Sequence, residues 1–263
     1  MLWSRRLTLA ALAFAVSLGG LAAVSIGQAQ AADDDAGKIL KSMSDYMAAQ
    51  KTISLTFDSS LEVITPEMEK IQFASSGTLL MQRPNELKAT RTGGYADVEL
   101  FFDGKTLTVY GKNINGYAQL DAPGSVDQLI DTLRGRGWAL PGADLLLGDI
   151  SGTLMSDVIS SKNIGLGVVG GIECHHLAFR NQDVDWQLWV EVGDKPIPRK
   201  LVITSKAIGG APQYTLVVKD FKTDVTADQA MFEFTPPDGA TKLDVDALAK
   251  LDELPPAAPA KGQ

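Results

Sequence analysis

The chain has 263 residues, a formal charge of −8 and a single cysteine, Cys174. An acidic chain with no run of Lys and Arg repels nucleic acid and anionic lipid surfaces. One cysteine excludes an internal disulfide, so stability must come from a buried core, which a chain of this length can supply.

The first residues, "MLWSRRLTLAALAFAVSLGGLAAVSIGQAQAADDD", set Arg5 and Arg6 before an apolar run from Leu7 to about Ile26. Small residues at Ala29 and Ala31 complete a secretory signal peptide, with cleavage expected after about Ala31. No other run approaches the ~20 apolar residues of a membrane-spanning helix, so no stable insertion is expected once the signal is removed. Losing Arg5 and Arg6 from 24 basic residues leaves 22 against 32 acidic ones, a formal −10 for the exported chain.

Residues 33–50 read as a helix. Acidic residues open it, and Ile39, Leu40, Met43, Tyr46 and Met47 recur on one face. The period then changes to two. In "TISLTFDSSLEVI", Ile53, Leu55, Phe57, Leu61 and Val63 alternate with mostly polar residues, the pattern of a half-buried strand. "QFASSGTLLMQ", "ELKATRT", "DVELFFDG", "KTLTVYGK" and "GYAQLDA" continue it, with Asp103-Gly104 the clearest hairpin turn. "SVDQLIDTLRGRGW" is a second helix, with Ser125 as its N-cap and Val126, Leu129, Ile130 and Leu133 on one face. "PGADLLLGDISGTLMSDVIS" reads as two short helical turns. Strands resume with "NIGLGVVG", "IECHHLAFRN", "VDWQLWVEV", "RKLVITSK", "QYTLVVKDF" and "MFEFTPP". The expected fold is mainly β with helices: a curved antiparallel half-barrel of about 11 strands, with helices covering its concave face. Residues 1–31 are the signal peptide and 32–243 a single half-barrel domain. Residues 244–263 form a tail, disordered from about 255 by its "PPAAPAKGQ" composition.

The stretch "GLGVVGGIECHHLAF" concentrates the signals that suggest chemistry. Gly165, Gly167 and Gly170 spell G-x-G-x-x-G, but a dinucleotide site needs a helix starting inside the motif, and here a strand follows. The glycines are expected to form a strand pair joined by a turn at Gly170-Gly171. Glu173, Cys174, His175 and His176 alternate between two faces of that strand, so they cannot converge on one metal ion. Cys174 and His176 are expected on its buried side. There is no G-x-S-x-G, Walker loop or H-E-x-x-H. No catalytic residue, metal or cofactor is therefore expected.

At "WQLWVEVGDKPIPRKLVITSKAIGGAPQYTLVVKDFKTD…FEFTPPDGA" the chain resembles the periplasmic lipoprotein carriers of the LolA and LolB type. The features are the Leu-Trp-Val strand, the turn with Pro196 and Pro198, the Arg199-Lys200 pair and the closing Phe232-x-Phe234-x-Pro236-Pro237. The pattern including "CHHLAFR" is closer still to a family of uncharacterised predicted periplasmic proteins sharing that fold. The resemblance covers roughly residues 170 to 240. It implies a half-barrel whose cavity shelters the acyl chains of a lipoprotein without chemistry, and a related stress-sensor domain of the RseB type uses a similar shape. In the carriers a conserved arginine controls closure; Arg83 and Arg91 are the positions here that could take its place.

The residues themselves suggest a greasy cover over the sheet. Trp138, Leu140, Leu145, Leu146 and Leu147 lie within ten residues, flanked by Gly137, Gly142 and Gly148. With Leu55, Phe57, Trp186 and Leu188 from the strands, they make the expected ligand-binding set. The expected function is a periplasmic protein that binds a lipid, an acylated protein or another hydrophobic ligand without catalysis, with a lipid, a lipoprotein acyl chain or an envelope protein as partner. One alternative is an envelope-stress sensor or protein-interaction domain, with a shallow groove filled by its own side chains. Another is a hydrolase using Cys174 or an acidic pair.

Overall fold

The computed structural model describes residues 26–138 and 140–245. Most of the expected signal peptide, and the tail beyond residue 245, lie outside the described residues. Helix α1 (Ile26–Ala49) runs across Ala31, the expected cleavage point. Because it starts upstream of the aspartates at 33–35, those residues do not serve as its first turn. Ala36, Leu40, Met43 and Met47 are buried at helical spacing and turn this face to the sheet.

Six strands follow as hairpins: β1 (Thr52–Ile64), β2 (Lys70–Gln82), β3 (Glu86–Gly93), β4 (Asp97–Phe102), β5 (Thr106–Gly111) and β6 (Gly116–Asp121). At the β4–β5 turn the Asp103 carboxylate accepts hydrogen bonds from the backbone N–H groups of Lys105 and Thr106, at 2.9 and 2.8 Å. Helix α2 (Val126–Gly135) begins with a capping box. Gln128 N–H donates to Ser125 Oγ, and Ser125 N–H donates to Gln128 Oε1. Its apolar face is Val126, Leu129, Ile130 and Leu133, all buried. A short 3₁₀ helix (Ala143–Leu146) and α3 (Ile150–Met155) complete the helical insertion.

The second run comprises β7 (Ser160–Val169), β8 (Ile172–Arg180), β9 (Val184–Glu191), β10 (Pro198–Ser205) and β11 (Gln213–Thr223). β7 and β8 are joined by Gly170 and Gly171, with φ of 57° and 84°. Positive φ at both central residues is what a tight hairpin turn of this hand requires, and glycine adopts it without strain.

All the described strands form one sheet, ordered β12-β6-β5-β4-β3-β2-β1-β11-β10-β9-β8-β7, where β12 is Thr241–Lys242. Every pairing is antiparallel except β12 with β6. The two runs are joined by β1 lying beside β11, with Phe57 opposite Val218 and Leu61 opposite Tyr214. The sheet is curved and open, with β7 and β12 as its two edges.

The expected strand at 231–237 is corrected. After a 3₁₀ turn (Gln229–Met231) the segment runs as irregular chain across the convex face. Pro236 and Pro237 lack the N–H groups a ladder needs. Phe232 is buried, and the Phe234 ring sits 5.4, 5.6 and 5.1 Å from those of Phe101, Tyr110 and Tyr117. The segment thus seals the outer side of β4–β6 as an apolar wedge.

Candidate functional site

Strand parity decides what faces the hollow of the sheet. In β1 the inward positions are Ile53, Leu55, Phe57, Ser59 and Leu61, paired across to Met81, Leu79, Gly77, Ser75 and Phe73 of β2. From β3 to β6 the row continues through Leu87, Phe102, Leu107 and Leu120. In the other run Leu201, Leu188 and Leu177 lie side by side, as do Ile203, Trp186 and Phe179. Phe179 and Trp186 stack with ring centres 3.8 Å apart, and the Trp186 indole N–H donates to Asn181 Oδ1 at 3.1 Å. Gly77 has a specific use: a Cβ there would collide with the Phe57 ring, which crosses the backbone at this point.

The cover packs on this floor. Leu145 and Leu147 are buried, while Trp138, Leu140 and Leu146 are half-buried against the same apolar cluster. Leu55, Trp186 and Leu188 are buried in it and Phe57 packs on it, so all nine expected site residues meet in one cluster. The protein's own side chains therefore occupy the floor in this conformation. Two open pockets, of about 250 and 500 Å³, lie elsewhere on the sheet; Phe73, Ser75, Arg91 and Tyr95 help line the first, and Asp58, Ser59 and Ser75 the second. No cover residue lines either of them.

A polar latch holds the cover down. Arg83 Nη2 donates to the backbone carbonyls of Leu146 and Leu147, at 2.9 and 3.3 Å. Its Nη1 lies 3.9 Å from Asp127 Oδ1, and Asp127 Oδ2 accepts the Gly148 N–H at 2.9 Å. Arg134 pairs with Asp144 at 2.5 Å, fixing α2 to the 3₁₀ turn. Burial pushes the Arg83 guanidinium below its usual pKa, opposed by the Asp127 charge. Its Nε has no hydrogen-bond partner. A guanidinium donating to two cover carbonyls while leaving its own Nε unpaired is a fastening of limited strength. Of the two arginines the resemblance left open, Arg83 contacts the cover and Arg91 lines the first pocket. Pattern reading missed Asp127 and its part in the latch; its place in the first turn of α2 was the available signal.

The "ECHH" strand is corrected in one respect. The face of β8 turned to the core carries Leu177 and Phe179, opposite Leu188 and Trp186. Cys174 and His176 lie on the other face, because side chains alternate and the turn at Gly170-Gly171 fixes the register. Cys174 is nonetheless fully buried. Burial pushes its thiol pKa up, helped by the nearby Glu191 charge and opposed by Arg199, which keeps it protonated and unreactive. His176 Nε2 lies 2.9 Å from Gln187 Oε1, and its ring stacks on Trp189 at 4.1 Å. The imidazole is thus held by packing and one hydrogen bond. Among the described residues no three His, Cys, Asp or Glu side chains gather as a metal site would require.

Sheet and cover together make an open, curved half-barrel with its helical insertion packed on the inner face. The chain belongs to the family of predicted periplasmic proteins designated DUF2092, whose model matches residues 36–246. Similar folds among solved structures include an uncharacterized conserved protein from Thermus thermophilus, at 12% identity and TM-score 0.48, covering 80% of this chain and 99% of that one. Another is the Mycobacterium tuberculosis lipoprotein LppX, at 12% identity and TM-score 0.46, covering 74% and 100%. The MucA/MucB complex of Pseudomonas aeruginosa matches at 11% identity and TM-score 0.36, over 76% of this chain and 61% of that one. A search of curated proteins gives no significant match. Among the described residues no helix is long and apolar enough to cross a membrane.

Proposed function

We propose that this protein is exported to the periplasm, loses its signal after about Ala31, and works as a single domain over residues 32–243. There it binds a lipid, or the acyl chain of a lipoprotein, between the inward strand faces and the 138–147 cover. It performs no chemistry; it shelters the ligand and yields it to an envelope partner. The observation that carries this proposal is the Arg83 latch, which fixes an apolar cover through backbone carbonyls instead of through interlocked side chains alone. Such a fastening can open without unfolding the sheet. Sheltering hydrocarbon is worth about 0.8 kcal/mol per CH₂, so a sixteen-carbon chain gains about 10 kcal/mol gross. That gain is available to displace leucines that pack on the floor when no ligand is present.

The test is native mass spectrometry of the protein taken gently from its own periplasm. A co-purified lipid mass is expected, and a consistently bare chain would refute the proposal. Trp138→Ala and Leu146→Ala should lower lipid retention more than thermal stability; equal losses would make these residues ordinary core.

A protein-interaction module is the second reading, and the β7 edge favours it. Ile164, Leu166 and Val168 are 55%, 63% and 69% exposed on a strand that, among the described residues, has no strand paired on its outer side, although α1 packs against β7. An extended peptide pairs with such an edge through its backbone. The occupied floor also accords with this reading.

A further inference from the structure

Near β6 the chain passes from one face of the sheet to the other. Phe234 lies on the convex side against Phe101, Tyr110 and Tyr117. Beyond it the chain rounds the β6 edge: Asn115 Nδ2 donates to the Asp238 carbonyl at 3.3 Å, and the Thr241 N–H donates to the Asn115 carbonyl at 3.0 Å. β12 then runs parallel to β6 beside Gly116 and Tyr117. Leu243 comes out on the concave side. Gly116 pairs with Gly111 and shares the inward parity of Val109 and Ala118, and a Cβ on it would come within 2.8 Å of the Leu243 side chain. Leu243 and Val245 pack on the same apolar cluster as the floor. The last described residues therefore aim the chain into the hollow.

The inner face there is unevenly covered. At one end of β4 Phe102 is fully buried, as is Leu107 opposite it, whereas Val98 and Leu100 nearer the other end are half-buried. The 138–147 cover packs elsewhere. Gly142 stands against Leu201, Leu216 and Tyr214 of the second run, and the Leu146 and Leu147 carbonyls meet Arg83 at the Phe102 end. Past Val245 the sequence reads "DALAKLDEL", residues 246–254, before Pro255-Pro256. Ala247, Leu248, Leu251 and Leu254 recur at the spacing of one helical face, with Asp246, Lys250 and Glu253 on the other, and the two prolines mark a stop. Neighbouring strands are about 4.8 Å apart, so β4 lies about 10 Å from β6, which a helix covers in about six residues. Counted from Val245, Leu251 falls over β4.

We propose that residues 246–254 dock as an amphipathic helix on the inner face of β4–β6, with Leu251 over Leu100 and Val98. The segment straps the part of the hollow that the 138–147 cover does not reach, and Asp246, Lys250 and Glu253 stay in water. Docking follows from the fold alone. Displacement of the strap by a bound hydrocarbon chain rests on the hydrophobic-ligand function proposed above, because both need the same apolar surface.

The test is hydrogen exchange, followed by mass spectrometry on the full signal-free chain, in wild type and in Leu248→Asp/Leu251→Asp. A free helix of this length is marginal in water, so protection here reports docking. Residues 246–254 should exchange at least roughly tenfold more slowly than the same sequence as a free peptide. The double variant should lose that protection while β8 and β9 keep theirs. Exchange at the free-peptide rate in wild type overturns the strap, as does protection that survives in the double variant. Protection that falls on dilution also overturns it, since the segment would then sit on a second copy. Placement is read with a short bismaleimide. Leu251→Cys should link to Leu100→Cys within one chain, and much less to Glu99→Cys, which faces outward; Cys174 is fully buried and does not compete. Equal yields overturn the position over β4. Saturation with cis-parinaric acid should return 246–254 to the free-peptide rate. Bound probe with unchanged protection overturns the competition and leaves the strap. Wild-type protein that binds no probe overturns the hydrophobic-ligand function and likewise leaves the strap.

Discussion

Replacing Arg83 with leucine removes the latch and keeps an apolar stem in its place. The contact to Leu146 is short and that to Leu147 longer, at 2.9 and 3.3 Å, and hydrogen bonds from a charged donor contribute about 1.5–3 kcal/mol. The 3.9 Å approach to Asp127, whose side chain is 42% exposed, adds at most a few tenths of a kcal/mol after solvent screening. Against this, a guanidinium with an unpartnered buried Nε is relieved, which offsets about 1 kcal/mol. The cover should therefore open about 1–2 kcal/mol more easily, roughly a five- to thirtyfold larger open population. Hydrogen exchange followed by mass spectrometry reads this directly. Leu145 and Leu147 donate their N–H groups to Gly142 and Asp144 within the cover. Their exchange should accelerate by that factor in Arg83→Leu, while peptides from β8 and β9 keep their protection. Unchanged exchange in the cover would mean Arg83 does not hold it. An equal rise in β8 and β9 would mean the substitution weakens the whole fold, and the latch would then be a structural bond only.

Phe234→Ala should cost about 2–3 kcal/mol, less than a fully buried phenylalanine because Phe234 is half-buried, yet more than a surface residue because it touches three rings. Urea unfolding with an unchanged m-value checks this, and a loss under 0.5 kcal/mol, roughly the surface-residue level, would show the wedge to be ornamental. Asp58 is ion-paired to Lys219 and accepts a hydrogen bond from Ser76 at 2.8 Å, which together hold its carboxyl below the usual range. Its folded pKa is depressed, so its contribution is present above the unfolded pKa near 4 and is lost as pH falls through the folded value. Asp58→Asn should thus destabilise by at most about 0.5 kcal/mol at pH 7, given the exposure of the pair, with the gap to wild type closing below pH 4. A gap that widens in acid would reverse the assignment.

Period and turn chemistry made most of the sheet legible. The alternation from Thr52 to Ile64 coincides with β1, and the cap at Ser125 and the turn at Gly170-Gly171 stand where local chemistry put them. These features are decided within a few residues, by side-chain spacing, a hydroxyl beside free N–H groups, or a backbone angle only glycine takes freely. Two things were hidden. Phe232 and Phe234 alternate like a strand, yet what holds them is an aromatic surface made by β4, β5 and β6, far away in sequence. The inward face of β8 was misjudged because Cys174 is apolar enough to be buried on either side. Only the pairing of Leu177 with Leu188 shows which side is the floor.

The two arginines show why site residues resist local reading more than elements do. Arg83 and Arg91 stand eight positions apart, one before Pro84 in a turn and one inside the strand ELKATRT, and those neighbours do not say what either guanidinium meets. What separates them is geometry set elsewhere. Arg83 lies just past the last residue of β2, in the turn whose next residue, Pro84, accepts a hydrogen bond from Val126 at the start of α2. That contact brings the helical insertion over the turn and sets the Leu146 and Leu147 carbonyls within reach of the guanidinium. Arg91 lies inside β3, where pairing with Gly77 places it on the inner face, next to the Phe57 ring that crosses the bare glycine. One cation therefore meets the cover, and the other stands on the inner face away from it.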